Sequence, residues 1–311
     1  MRGKRIMVVG DVMIDEWIWG SVSRISPEAP VPVVAVSDHS FTLGGAGNVA
    51  NNLRALHAEV SFVSSVGCDE FAENVRGLLR AEQVDDAGVL AVGDRPTTRK
   101  TRVVAHNQQV VRADWEATAP LADMDRKRIV TFVRERAPQC DAIILSDYAK
   151  GLLSREVVEA SLAAPLVLAD PKPQNLDLFV DVTCVAPNVH EASAASGIEI
   201  VDDASLEAAG TRLLERLRCR YVVITRGEAG MALFGPDGQR EKIPSVARTV
   251  YDVSGAGDTV IAVLALGLAA GAEIAKAMRL ANFAAAAVVE KLGTATASAS
   301  EILAVVEHDR A

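Results

Sequence analysis

Short apolar runs recur along the chain, and most lead into glycine, asparagine or aspartate. RIMVVGD (5–11), SFVSSVG (61–67), AIILSDY (142–148), LVLADPK (166–172), TCVAPN (183–188) and YVVITRG (221–227) share this form. Their apolar residues are near-continuous rather than alternating, which marks strands buried on both faces of a parallel sheet. Between them AGNVANNLRAL, DRKRIVTFVRER, SREVVEASLAA and SLEAAGTRLLERLR carry apolar residues at helical spacing. This alternation predicts an α/β fold: a mainly parallel central sheet with helices on both faces, α/β/α in three layers. Ligands in such folds gather at the carboxyl ends of the strands. The polar residues that end these runs are therefore the first candidates for a site.

Two stretches, about 12–42 and 97–115, break the alternation. Both are strand-like and neither shows a crossover helix. The second reads as a hairpin turning near Asn107-Gln108. They predict one small sheet, separate from the main one and able to act as a lid. No repeat or low-complexity linker divides residues 1–311, so a single domain is expected. The segment from Thr259 onward is nearly all alanine and apolar and predicts buried helices.

Charge narrows the ligand. A net charge of −9 argues against nucleic acid as a partner, yet a few local cations can still hold a small anion. Cys68, Cys140, Cys184 and Cys219 lie far apart without C-x-x-C spacing and predict buried, reduced thiols. The apolar run Ile6–Val9 is too short for a signal peptide, and Thr259–Ala272 is too short to span a bilayer. A cytoplasmic protein without a membrane partner is expected.

Four motifs carry candidate chemistry, each beside a plainer reading. In Gly255-Ala256-Gly257-Asp258, Asp258 suits a helix N-cap and glycine suits the turn before it. The helix that follows is apolar all round, so its N-terminus points inward, where free N–H groups can hold an anion beside a proton-accepting carboxylate. Gly44-Gly45-Ala46-Gly47-Asn48-Val49-Ala50 contains a G-x-G-x-x-A match from Gly45 but does not directly follow the first strand. A glycine turn admitting a polar ligand, with Asn48 supplying hydrogen bonds, fits it better than a dinucleotide site. Asn188-Val189-His190-Glu191 reads as a helix start or as a carboxylate orienting Mg²⁺ through water. Thr225-Arg226-Gly227-Glu228-Ala229-Gly230 reads as a turn between strands or as a strand end touching nucleotide phosphates. No G-x-x-x-x-G-K-[ST] occurs, so ATP, if used, is not held by a P-loop.

The order of these motifs, with Asp11 closing the first strand and Asp252 opening the last motif, resembles the ribokinase-like carbohydrate kinase family over essentially the whole chain. The resemblance implies an ATP-dependent phosphotransferase with Asp258 as general base and the backbone of Gly255, Ala256 and Gly257 cradling the transferring group. It implies Mg²⁺ oriented by Glu191 and Asn188, and nucleotide contacts from Thr225, Arg226, Gly227, Gly230 and Asn282. Asp15, Gly44, Gly45 and Asn48 would meet the sugar, and Lys100, Arg102, Arg112, Arg24 or Lys172 a second phosphate. The plain reading of each of those cations is a solvated surface charge. A monovalent cation such as K⁺ is implied near Asp252 and the 284–294 segment, and a homodimer through the lid. Val253 departs from the threonine of many members, which weakens any side-chain role there and leaves the glycine turn and Asp258 untouched.

Residues 10–34 and 98–114 are similar, more narrowly, to the kinase half of bifunctional heptose kinase/adenylyltransferases of lipopolysaccharide biosynthesis. That implies transfer of the ATP γ-phosphoryl to the anomeric O1 of D-glycero-β-D-manno-heptose 7-phosphate. With no H-x-G-H motif, a stand-alone kinase is expected. The alternatives are another sugar, sugar-phosphate or nucleoside kinase of this fold, and a sugar-binding regulator without catalysis. The basic residues of 98–112 favour a phosphorylated substrate, and intact Asp258 and Glu191 favour catalysis.

Overall fold

The computed structural model describes residues 2–106, 108–247, 249–291 and 293–309. Its order begins β1 (Arg5–Gly10), β2 (Val12–Ile25), β3 (Pro32–Gly45), α1 (Ala46–Ala55), β4 (Glu59–Val66), α2 (Glu70–Ala81) and β5 (Asp85–Ala91). Then come β6 (Arg99–Ala105), β7 (Gln108–Trp115), α3 (Asp123–Arg136), β8 (Ala142–Ser146), α4 (Arg155–Ser161), β9 (Val167–Asp170), β10 (Cys184–Val185) and α5 (Val189–Ser196). The chain continues through α6 (Asp203–Leu217), β11 (Tyr221–Thr225), β12 (Met231–Phe234), β13 (Arg240–Ile243), α7 (Ala256–Ala269), α8 (Ile274–Val289) and α9 (Ala299–Asp309).

The main sheet runs β13-β12-β11-β10-β9-β8-β1-β4-β5. From β11 to β5 every pairing is parallel, and β12 and β13 close one edge antiparallel. The apolar runs are buried on both faces as their patterning requires: Ile6 and Val8 of β1 join one core, Met7 and Val9 the other. Helices α1, α2, α7 and α8 pack on the first face and α3 to α6 on the second. Helices α7 and α8 are buried as expected. In α9 only Ile302 is buried, because its charged residues leave a narrow apolar stripe.

The two segments without crossover helices form a second sheet, β3-β2-β6-β7. It is antiparallel at β2–β3 and β6–β7 and parallel at β2–β6. The hairpin is there, but Asn107 of its predicted turn lies outside the described residues. Strand β3 runs straight into α1 through Gly44-Gly45, so the small sheet joins the main fold at that turn. Paired residues share a face, which puts Asp15, Trp17, Lys100, Arg102, Arg112 and Asp114 together on one side. On the other side Arg99 lies between the rings of Phe71 and Trp115, 3.9 Å from each centroid. All four cysteines are free, but only Cys184 and Cys219 are buried; Cys68 is exposed and Cys140 half-buried. No helix of the described residues is long and apolar enough to cross a membrane.

Candidate active site

The site is assembled at the carboxyl ends of the parallel strands by buried carboxylates that fold the backbone around them. Asp11, just past β1, accepts N–H bonds from Tyr148 and Lys150 at 3.0 Å each and from Leu152 at 3.2 Å. Burial pushes its carboxyl up, and those three donors pull it back. Asp147, just past β8, accepts from Ala149 and Asn175 on one oxygen and from the Lys172 N–H on the other. These two aspartates therefore fix the loops that carry Tyr148 and Lys172, and their own lone pairs are spent on backbone N–H groups and the Asn175 amide.

Helix α7 is preceded by Gly255 at its N-cap, which holds the left-handed conformation at φ 78° and supplies no side-chain cap. This corrects the expectation that Asp258 caps the helix. Asp258 lies in the first turn, buried, and its Oδ2 accepts from Asn48 Nδ2 at 2.8 Å and its Oδ1 from the Tyr148 hydroxyl at 2.7 Å. Asn48 is fully buried, so its amide braces Asp258 rather than facing an open cleft. Burial pushes the Asp258 carboxyl up to about 6; the Asn48 and Tyr148 bonds and the Lys172 charge restrain it, while Asp15 adds to the rise. Such a carboxylate is ionised at neutral pH yet basic enough to take a proton from a hydroxyl. Among the cradle N–H groups, that of Ala256 donates to Val253 O at 3.2 Å, whereas Gly257 sits in the first turn without an intrahelical acceptor.

Beside this turn lies a cavity of about 660 Å³ lined by Thr225, Gly227, Gly230, Ala256, Gly257 and Asn282, among others. Residues predicted from three distant motifs thus meet in one place, large enough for a nucleotide. Asn282 donates to Pro244 O at 2.7 Å, fixing the amide at the cavity wall. Arg226 does not line it; its guanidinium reaches toward Asp203 at 3.9 Å.

Asn188 and Glu191 form a reciprocal capping box on α5, so the helix-start reading holds for both. Glu191 also pairs with Lys172 Nζ at 2.5 Å, and its Oε2 accepts the Asn188 N–H. Lys172 is raised although burial opposes its charge, because Glu191 bonds it and Asp170 and Asp147 lie near. Asp170, at the end of β9, was not anticipated. It is pushed well up by burial and by the Glu191 and Asp258 charges; the Asp147 N–H donates to its backbone oxygen at 3.1 Å, and no donor among the described residues bonds its carboxylate.

On the facing sheet Asp15 is buried and pairs with Arg102 at 2.5 Å. Lys100 and Arg112 both bond Asp114, at 3.0 and 2.9 Å, and Arg24 lies exposed far along β2. Of the five cations predicted for a second phosphate, Arg102 pairs with Asp15, Lys100 lies in register beside Asp15, and Lys172 pairs with Glu191. Asp252 is pushed up by burial, but N–H bonds from Ser254 and Gly293 and the Arg102 charge hold it below its ordinary value. Leu292, in the adjoining 284–294 segment, lies outside the described residues.

Residues 4–301 match the model of the pfkB family of carbohydrate kinases. The chain is 48% identical over 308 residues to the bifunctional protein HldE of Desulfatibacillum aliphaticivorans, covering 97% of this chain and 63% of that one. It is 46% identical to HldE of Citrifermentans bemidjiense, again covering 63% of that protein. The chain therefore spans less than two thirds of the length of these relatives. The fold matches phosphofructokinase-2 of Escherichia coli in its tetrameric inhibited form, with a TM-score of 0.81, 16% identity and coverage of 99% of this chain and 100% of that one. It also matches Arabidopsis thaliana ribokinase complexed with ribose and ATP, with a TM-score of 0.75, 19% identity and coverage of 99% of each chain. With its fold, its motif order and a family match over nearly its full length, this chain belongs to the pfkB family of carbohydrate kinases and has the ribokinase-like fold.

Proposed function

We propose that the protein transfers the γ-phosphoryl group of ATP to the anomeric O1 of D-glycero-β-D-manno-heptose 7-phosphate, in the supply of ADP-heptose for lipopolysaccharide core. The observation that carries the kinase chemistry is the meeting of Thr225, Gly227, Gly230 and Asn282 with Ala256 and Gly257 in one cavity, beside the braced carboxylate of Asp258. The heptose assignment rests on residues 10–34 and 98–114 and on identity to HldE proteins.

In this reading O1 attacks the γ-phosphorus as its proton passes to Asp258; the O1–P bond forms, the P–O bond to ADP breaks, and the 1,7-bisphosphate leaves. The N–H groups at the start of α7 receive the charge on the moving phosphoryl group. Asp15 reads sugar hydroxyls, and Arg102 and Lys172 are the cations favoured for the 7-phosphate. Mg²⁺ bound with ATP would neutralise phosphate charge. Asp170, whose carboxylate lacks a donor among the described residues, and Glu191, with Asn188 behind it, are suited to hold the ion through water. No three His, Cys, Asp or Glu side chains among the described residues form a cage, which fits an ion that takes most of its ligands from water and phosphates. A K⁺ site would adjoin Asp252. A solved relative, E. coli phosphofructokinase-2, was obtained in complex with potassium.

The second sheet closes over the sugar as a lid that excludes water. Exposed Val36 and Val111, on one side of it, suit a second copy of the chain, and sedimentation at micromolar concentration tests for that dimer. The substrate is tested by ADP release across heptose 7-phosphate, fructose 6-phosphate and ribose. The heptose phosphate should lead in kcat/KM by about 100-fold or more. Equal rates on fructose 6-phosphate or ribose would replace it as the substrate, and no ADP release on any sugar would favour a binding protein.

A further inference from the structure

Both oxygens of the Asp258 carboxylate are held, and by donors of different kinds. Asn48 is a buried helix residue, whereas Tyr148 stands on a loop whose shape is set by Asp11. Asp11 draws in the Tyr148, Lys150 and Leu152 N–H groups. Ala149 takes the left-handed conformation at φ 54° with its N–H on Asp147, 2.8 Å away. Gly151 follows at φ 89°, where a Cβ would meet the Ala119 carbonyl at 2.1 Å. The Tyr148 ring lies against Gly45, whose added Cβ would touch it at 3.5 Å, and Lys172 Nζ lies 5.4 Å from the ring centroid. The phenol is thus delivered to Oδ1 of Asp258 by a loop with little freedom.

We propose that Tyr148 is a positioning residue for phosphoryl transfer: its hydroxyl holds Oδ1 of Asp258, so that the carboxylate stays charged and aimed while buried. This rests on Asp258 being the general base. The phenol itself cannot serve as that base, since burial and the Asp258 charge push its own ionisation well above the ordinary tyrosine value. The groups acting on Asp258 are Asn48 from α1, Tyr148 after β8, Lys172 after β9, Asp15 from β2 and Asp170 from β9. Asp15 and Asp170 oppose its negative charge and Lys172 favours it. Tyr148 is the neutral donor that can be removed without altering charge or ring packing.

The test is the pH profile of kcat for Tyr148→Phe. Loss of the donor lets burial win, so the acid limb moves to higher pH. The wild-type to variant ratio should be about 10 at pH 8.5 and at least about fivefold greater at pH 6, with both KM values within about threefold. Replacing Tyr148 by 3-fluorotyrosine, a stronger donor of nearly the same shape, should move the limb the other way, and this reads the proposal even if the phenylalanine variant folds poorly. A ratio that stays constant across pH, or an acid limb unmoved by 3-fluorotyrosine, overturns it. Asp258→Asn separates the two claims. If that variant keeps turnover, the general-base reading falls; if it is inactive while the Tyr148 variants leave the pH profile unchanged, only the role of Tyr148 falls.

Discussion

Asn48 and Asp258, 210 residues apart in sequence, share a hydrogen bond of 2.8 Å that joins the first turn of α1 to the first turn of α7. One turn further along α1, Asn52 Oδ1 accepts from the hydroxyl of Thr259, the residue after Asp258, at 2.9 Å. The two glycine turns, Gly44-Gly45 before α1 and Gly255 before α7, are therefore one structural device. They let two helix starts approach closely enough for a buried amide to brace a buried carboxylate. The pairing also offsets the cost of burying a charge, since an unbonded carboxylate at this depth would be expelled or neutralised.

Gly255 and Gly257 should respond differently to alanine. At Gly255 the new Cβ would lie 2.4 Å from Asn48 Nδ2, and φ is 78°. Gly255→Ala should cost about 1–3 kcal/mol of stability and lower kcat about 100-fold, because Asn48 must release Asp258. At Gly257 the nearest added contact is Asp170 Oδ2 at 4.0 Å. Gly257→Ala should keep or slightly raise stability, as expected for alanine in a helix, while narrowing the space for phosphate. Urea titration and turnover on both variants check the contrast.

Asp258→Asn should stabilise the protein at neutral pH while removing activity. Asp258 goes from an ordinary 3.8 to about 6 in the folded state, so the fold binds its proton more readily than the unfolded chain does. The stability from this site is full below about pH 4 and is lost as pH rises through about 6. An uncharged amide avoids that loss, a gain of roughly 1–3 kcal/mol at pH 7.5 that vanishes toward pH 4. The hydrogen bonds survive, because an asparagine can accept from Asn48 and donate to the Tyr148 oxygen. Thermal melts of both proteins from pH 4 to 8 measure the difference; equal melting temperatures at pH 7.5 would show that burial does not strain this carboxylate.

Much of this arrangement was legible in the chain. Strands buried on both faces announce themselves by unbroken apolar runs, and the second sheet by runs that lack a crossover helix. The cavity beside α7 could be anticipated because Thr225 and Gly257 stand at a strand end and a helix start, where ligands gather. Other parts depend on distance through space. Tyr148 closes a predicted strand, but only the turn bound by Asp11 brings its hydroxyl to Asp258. Asp170 drew less notice than Lys172 two residues later, since a lone carboxylate offers no phosphate complement. Its isolation among Glu191 and Asp258 emerges only from packing. The spacing of Asn188 and Glu191 could not say how far capping consumes their polar atoms. Strand β5 lies in DDAGVLA, where weak strand propensity and a central glycine blur the period, whereas helix α2, EFAENVRGLLRA, carries Phe71, Val75, Leu78 and Leu79 at plain helical spacing.

Gly44→Ala should act on the sugar side alone. Its Cβ would fall 2.3 Å from Asp15 Oδ2 and 3.0 Å from Met13 Cγ. Asp15 must swing away, and the contact with Arg102 goes with it. The KM for the phosphosugar should rise about tenfold or more while the KM for ATP stays within about twofold. Arg102→Glu should show the same asymmetry. Parallel rises in both KM values would argue that this pair supports the whole fold rather than the sugar site.

Gly230 is the corresponding test of the proposed nucleotide wall. It sits at φ 81°, and an added Cβ would lie 2.0 Å from the Ile243 carbonyl oxygen and 2.5 Å from the Pro244 carbonyl carbon. Backbone has no flexible end to yield, so Gly230→Ala must push β13 and its exit away. The Pro244 carbonyl also takes the Asn282 amide at 2.7 Å, and the displacement therefore reaches the far wall of the cavity. Stability should fall by about 2–4 kcal/mol, more than the roughly 1–2 kcal/mol of left-handed strain alone. Gly227→Ala supplies that reference, since Gly227 has φ 55° but nothing within 4 Å of an added Cβ. Calorimetric titration should show ATP binding weakened at least about tenfold in the Gly230 variant, with phosphosugar binding little changed. Equal losses for the two variants would mean that strain in the turn, rather than the Ile243–Pro244 contact, sets the effect.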